Sequence, residues 1–206
     1  MTKPTIVFDL DGTLVDTAPD ILGTLDDILA RENIPLLPHR EARAYISIGS
    51  RAMLERAMSV AGYDTNPARI ESLFGDFLAH YGTRLAEKSR PFPGAVEALK
   101  KLIETGHGLA ICTNKMERLS LDLIQTLGMT PFFRAICGRN TFPFCKPDGR
   151  HITATVERIG GDPSRAIMVG DTATDFNAAR NAGVPSIGVH FGYSDVPIAT
   201  LNPDRM

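Results

Sequence analysis

The sequence predicts an α/β fold, a parallel sheet flanked by helices and interrupted by an all-helical insert. Three observations carry this reading. From about residue 95 onward, short apolar runs alternate with helical stretches, the pattern of a parallel sheet with crossover helices. Between Pro19 and Glu87 the patterns are helical throughout, with no strand among them. That helical stretch leaves directly after the first apolar run and returns before the second.

The first strand is Ile6-Val7-Phe8, which stops abruptly at Asp9. Thr17-Ala18-Pro19-Asp20 reads as a helix start, because proline suits the first turn, and Ile21, Leu22, Leu25, Ile28 and Leu29 form one helical face. Asn33-Ile34-Pro35 and Pro38 break the pattern, and a short helix is expected around Glu41–Tyr45. Met53, Leu54, Ala57 and Met58 make another helical stripe. Asn66-Pro67 opens a longer helix whose apolar face runs from Ile70 through Phe77 and Tyr81 to Leu85. Arg90-Pro91-Phe92-Pro93-Gly94 marks a boundary. Beyond it we expect helix Ala95–Glu104, strand Leu109–Cys112, helix Met116–Leu127, strand Ala135–Cys137, a helix through Ile152–Ile159, strand Ala166–Val169, helix Asp175–Ala182 and strand Ser186–Val189. The tail, Ser194–Met206, shows no periodicity and is expected to drape over the core. The expected domains are therefore 1–17 with 88–206 as the α/β core, and 18–87 as the helical insert.

The 206 residues suit one large domain or a core with an insert. A net charge of −2 gives no nucleic-acid footprint. No apolar run reaches membrane-spanning length, and none near the start resembles a signal-peptide core. Cys112, Cys137 and Cys145 make neither a disulfide framework nor a metal-spaced set. The expectation is a cytoplasmic protein, monomer or homodimer, with no nucleic-acid or membrane partner.

Chemistry-bearing residues sit immediately after strands. Asp9 and Asp11 lie two apart, so their side chains point the same way on an extended chain. Two acids held close repel unless a cation or a shared proton compensates. Thr113-Asn114 follows the second strand, Lys146 stands in a later loop, and Asp171 with Asp175 follows strand Ala166–Val169. Parallel strands share one carboxyl edge, so these groups should meet there. Clustered carboxylates suit a hard cation such as Mg2+. With a lysine and a hydroxyl added, the site can hold a multiply charged oxyanion, phosphate above all. Asp175 can alternatively be a helix N-cap, and Lys146 and Thr113 have ordinary structural readings as well.

This constellation resembles the haloacid dehalogenase superfamily. Asp9-Leu10-Asp11-Gly12-Thr13 is similar to its first motif, Thr113-Asn114 to its second, Lys146 to its third and Gly170-Asp171-Thr172-Ala173-Thr174-Asp175 to its fourth. The insert is similar to the family's type one cap. The run Phe8–Asp20, Pro91-Phe92-Pro93-Gly94 and Cys112-Thr113-Asn114-Lys115 resemble the phosphoglycolate phosphatase branch. The resemblance implies a Rossmannoid core and Mg2+-dependent hydrolysis of a small phosphorylated metabolite, phosphoglycolate leading. It implies Asp9 as nucleophile and Asp11 as acid/base. It implies Mg2+ held by Asp9, the main-chain carbonyl of Asp11 and Asp171, phosphate bound by Thr113, Asn114 and Lys146, and support from Asp175. In the insert, Ile48-Gly49-Ser50-Arg51 resembles the substrate-specificity loop, with Gly49 allowing close approach and Arg51 reading a carboxylate or phosphate. Arg51 can equally be the start of a helix. A β-phosphoglucomutase-like phosphosugar phosphotransferase and a non-catalytic binding protein of the same fold are the alternatives.

Overall fold

The computed structural model describes residues 3–206. Its backbone divides into two compact units, Met1–Asp16 with Arg90–Met206, and Thr17–Ser89.

The first unit is built on a five-stranded sheet in the order β5-β4-β1-β6-β7. The strands are β1 (Thr5–Phe8), β4 (Gly108–Cys112), β5 (Ala135–Cys137), β6 (Ala166–Gly170) and β7 (Ser186–Gly188), and every pairing is parallel. β1 is central and wholly buried, which is why Thr5-Ile6-Val7-Phe8 reads as a near-continuous apolar run rather than an alternating one. The flanking helices are α5 (Ala95–Glu104), α6 (Glu117–Thr126), α7 (Arg150–Arg158) and α8 (Ala173–Ala182). Ile152 and Val156 of α7 and Ala178 and Ala179 of α8 pack with Val7, Cys112, Ala166, Met168 and Val184 into one core cluster.

The second unit holds α1 (Ala18–Arg31), α2 (His39–Arg43), α3 (Ser50–Val60) and α4 (Pro67–Gly82). α4 packs against α1 and α3, burying Leu25, Ile28 and Leu29 with Met53, Leu54, Leu73, Phe77 and Tyr81. Asn66 caps α4, its side chain accepting the Ala68 N–H at 2.9 Å. Asp20, fully buried, accepts the N–H groups of Lys88 and Ser89 and the Ser89 hydroxyl at 2.7–3.0 Å. One carboxylate thus ties the beginning of this unit to its end.

Three local features differ from the sequence expectation. Val15–Asp16 (β2) and Arg90–Pro91 (β3) form a two-stranded antiparallel ribbon; strands of two residues carry no period to read. α4 stops at Gly82, three residues short of Leu85, which is buried all the same. The tail is not merely draped. Arg205 sits beside Ile187, donating to Ser186 O and accepting from the Gly188 N–H, and Asp204 takes the Ser186 N–H and hydroxyl, so the tail covers the β7 edge. Among the described residues, no helix is long and apolar enough to cross a membrane.

Candidate active site

The sheet register sets the site. Phe8 lies beside Ile111 of β4 and Val169 of β6, so Asp9, Thr113 and Asp171 emerge together at the carboxyl edge. The Asp9 N–H still donates to Val169 O at 2.9 Å, and the Thr113 N–H to Cys137 O at 3.0 Å. The backbones of Asp9 and Thr113 are therefore anchored by the last rung of a ladder, at the edge where open α/β sheets bind ligands.

Asp9, Asp171 and Asp175 are all buried, and one carboxylate oxygen from each lies within 4.8 Å of the others. Lys146 reaches into this cluster. Its Nζ stands 2.6 Å from Asp175 Oδ1 and 2.9 Å from Asp9 Oδ1, with only 3% of the residue exposed. The backbone around it is pinned. Asn114 Nδ2 donates to Lys146 O at 3.0 Å, the Lys146 N–H donates to His151 Nδ1, and Asn181 Nδ2 donates to Pro147 O. Burial alone would lower the Lys146 pKa, but the charges of Asp175 and Asp9 reverse this and hold it above its ordinary value.

One ammonium does not neutralise three carboxylates. Burial pushes Asp9 up to about 6; Lys146 opposes the shift and Asp175 adds to it. Asp171 is raised well above the usual range by burial, then by the charges of Asp175 and Asp9, and what offsets it are neutral donors. Those donors are Thr13 Oγ1, 2.7 Å from Asp171 Oδ1, and the Tyr193 N–H, 2.7 Å from Oδ2. Apart from its ion pair with Lys146, Asp9 Oδ1 is buried without a hydrogen bond. An all-oxygen, buried, under-compensated set of this kind fits a hard divalent cation.

The backbone around Asp171 is cut to its carboxylate. A Cβ on Gly12, whose φ is +87°, would fall 2.4 Å from Asp171 Oδ2, and one on Gly192 would fall 2.3 Å from Asp171 Cβ. Asp175 is not the N-cap of α8 but serves its first turn from the third helical position, and it also pairs with Lys146. Thr172 is the N-cap of α8 and Asp175 stands at the third helical position. Its Oδ2 accepts the Asp171 and Thr172 N–H groups and the Thr172 hydroxyl, leaving Oδ1 for Lys146.

Asp11 does not join the carboxylate cluster. Its oxygens lie 3.2 and 3.4 Å from Lys115 Nζ, both side chains being nearly buried. Thr113 Oγ1 accepts the Lys115 N–H at 3.2 Å, so the turn after β4 positions Thr113 and Lys115 together. Lys115, Thr13 and Tyr193 were not singled out from the sequence. Lys115 had a signal, its place in Cys112-Thr113-Asn114-Lys115. Tyr193 had none, since its contribution to Asp171 comes from the main chain.

Gly49 and Arg51 lie in the second unit. Gly49 is the N-cap of α3 with φ +124°, a left-handed conformation that favours glycine. The Arg51 guanidinium pairs with Glu71 and lies 4.7 Å above the Phe74 ring, so α4 holds it. Cys112 and Cys137 are buried free thiols; burial pushes the former up to about 12.

The family model for haloacid dehalogenase-like hydrolases matches residues 6–189. The chain is 48% identical over 200 residues to a phosphoglycolate phosphatase of Caulobacter vibrioides, covering 97% of this chain and 84% of that protein. It is 45% identical over 202 residues to the phosphoglycolate phosphatase of Agrobacterium fabrum, covering 98% and 87%. In structure it is similar to a predicted phosphoglycolate phosphatase from Haemophilus somnus, with a TM-score of 0.91, 28% identity, and coverage of 100% and 93%. With the sheet order and the strand-end acids in place, the conclusion is that the chain belongs to the haloacid dehalogenase-like hydrolase family, and that it is a phosphatase.

Proposed function

We propose that the protein is a Mg2+-dependent phosphomonoesterase that works through an aspartyl-phosphate at Asp9, with phosphoglycolate as its leading substrate. The observation that carries the chemistry is the three-carboxylate cluster around Lys146 at the end of β1. The substrate rests on the relatives, several of which are named phosphoglycolate phosphatase.

Asp9 attacks phosphorus, and the P–O bond to the leaving alkoxide breaks as the carboxylate oxygen bonds. Asp11, outside the metal cluster and steadied by Lys115, protonates that alkoxide. It then takes a proton from the water that attacks the aspartyl-phosphate, so that phosphate leaves and Asp9 is regenerated. Lys146 offsets charge on Asp9 and on the incoming phosphoryl group, while Asp175 holds the ammonium in place. Thr113 and the N–H of Asn114 receive phosphate oxygens. Mg2+, held by Asp9, Asp171 and the main-chain carbonyl of Asp11, would supply the positive charge that lets a carboxylate approach a dianion. Gly49 and Arg51 would read the carboxylate end of the substrate, Arg51 exchanging Glu71 for it. The free thiols Cys112 and Cys137 fit a cytoplasmic setting.

The test is phosphate release across a panel of phosphorylated metabolites, with Mg2+ and with a chelator. The expected result is strongest turnover of phosphoglycolate and loss of activity on chelation. Isomerised sugar phosphate without phosphate release would show a phosphotransferase instead. Full activity in chelator would remove the metal from the account.

A further inference from the structure

The opposite edge of the sheet carries a second place for an anion. A cavity of about 420 Å3 opens where the strands begin, lined by Lys3, Arg134 and Arg165. Thr5 opens β1, Gly108 opens β4, and Arg134 and Arg165 immediately precede β5 and β6. The topology therefore gathers three cations from well-separated stretches of sequence onto one rim. β1 separates them from the active edge by four residues, about 13 Å at ~3.3 Å per residue.

The charge there is only partly compensated. Among the described residues, none of the three cations enters an ion pair. The one acid lining the cavity is Asp162. Its Oδ1 is taken by the Ser164 N–H and hydroxyl at 3.0 and 2.7 Å, although its charge still reaches Arg165. Three positive groups against one turn-bound carboxylate leave a net local charge of the opposite sign to the whole chain's −2.

The floor is glycine. Gly106, Gly108, Gly160 and Gly161 all line the cavity, so a ligand can approach the backbone closely. A side chain on Gly161 would strike Thr5 Oγ1, at 2.6 Å, and one on Gly108 would come within 3.8 Å of the Arg134 guanidinium. Arg134 thus lies beside Gly108, together with Ile159, whose Cδ1 would be 3.3 Å from the same added Cβ, and the space next to Gly160 is open. Guanidinium groups of this kind bind phosphate bidentately.

We propose that this cavity is a binding site for a small phosphate-bearing dianion, separate from the catalytic edge and clamped chiefly by Arg134 and Arg165. It does not depend on which phosphate ester the catalytic edge hydrolyses. The experiment is a titration of 15N-labelled protein with inorganic phosphate and, in parallel, with methylphosphonate, which carries the same group on a carbon. Sodium chloride at matched ionic strength is the control. The amides of Gly106, Gly108, Gly160 and Gly161 should shift and saturate with the phosphate-bearing probes. In the Arg134→Gln/Arg165→Gln double variant those glycines should respond at least about tenfold more weakly, while the active-edge amides of Asn114 and Asp171 respond as in the parent. Both arginines are on the rim rather than in the core, and unchanged spectra elsewhere report an intact fold. Tighter saturation by inorganic phosphate would identify free phosphate as the ligand; tighter saturation by methylphosphonate would identify a phosphorylated organic molecule. The proposal is overturned if the glycine amides do not move, if chloride moves them equally, or if the double variant matches the parent.

Discussion

Lys115 Nζ lies 3.2 Å from Asp11 Oδ1, with the lysine side chain 5% and the aspartate side chain 9% exposed. The two residues stand 104 positions apart and meet because β1 and β4 are hydrogen-bonded neighbours whose ends coincide. The pair holds the Asp11 carboxylate, the proposed acid/base, in one place apart from the three-acid cluster. Lys115→Met should cut kcat by about ten- to a hundredfold, the worth of one nearly buried charge-assisted bond. The Michaelis constant should change less. Lys115→Arg should recover part of the loss. Steady-state kinetics on the three proteins checks this.

Lys146 is the only cation in contact with Asp9 and Asp175 among the described residues. Removing it leaves buried carboxylates without their counter-charge, a defect of about 3–5 kcal/mol. Lys146→Met should therefore lower the midpoint of urea unfolding as well as abolish turnover, which a purely catalytic lysine would not do.

Gly192 tests the cradle around Asp171. Its replacement by alanine puts a Cβ 2.3 Å from the Asp171 side chain, which must swing away. The Mg2+ concentration needed for half-maximal activity should rise about ten- to a hundredfold. The fold should be retained, because Gly192 sits in a loop after β7. Metal titration of activity, with circular dichroism alongside, is the measurement.

His151 gives a pH signature in stability. Burial, with the Lys146 charge adding, depresses its pKa from 6.5 to about 4. Between these values the unfolded chain binds more protons than the folded one, so folding stability rises with pH. The contribution is fully present above pH 6.5 and is lost as pH falls towards 4, a span of about 3 kcal/mol. His151→Gln should flatten this part of the unfolding free energy against pH, as measured by urea titrations at several pH values.

Much of the site could be read from the chain because its residues come directly after apolar strands. Ile6-Val7-Phe8 and Ala166–Val169 announce themselves as buried strands, and Asp9 and Asp171 are the polar residues that end them. Pairings made across the sheet could not be read in this way. Lys115 looks like a surface lysine until Asp11 is placed beside it. Thr13 and Tyr193 serve Asp171 through a hydroxyl and a main-chain N–H that no spacing rule marks. Asp175 offered two readings because a carboxylate has two oxygens, and the structure uses one for the helix and one for Lys146. The β2–β3 ribbon was too short to show a period. The cations at the far rim, Lys3, Arg134 and Arg165, are isolated in sequence and acquire meaning only from the shared edge of four strands.

The most direct test of the central claim is acid quenching of the enzyme in the first turnover with phosphoglycolate and Mg2+, followed by peptide mass spectrometry. The account predicts a phosphoryl group on the peptide containing Asp9, absent from Asp9→Asn protein, which should also be inactive. A phosphoryl group on another residue, or wild-type turnover by Asp9→Asn, would contradict it.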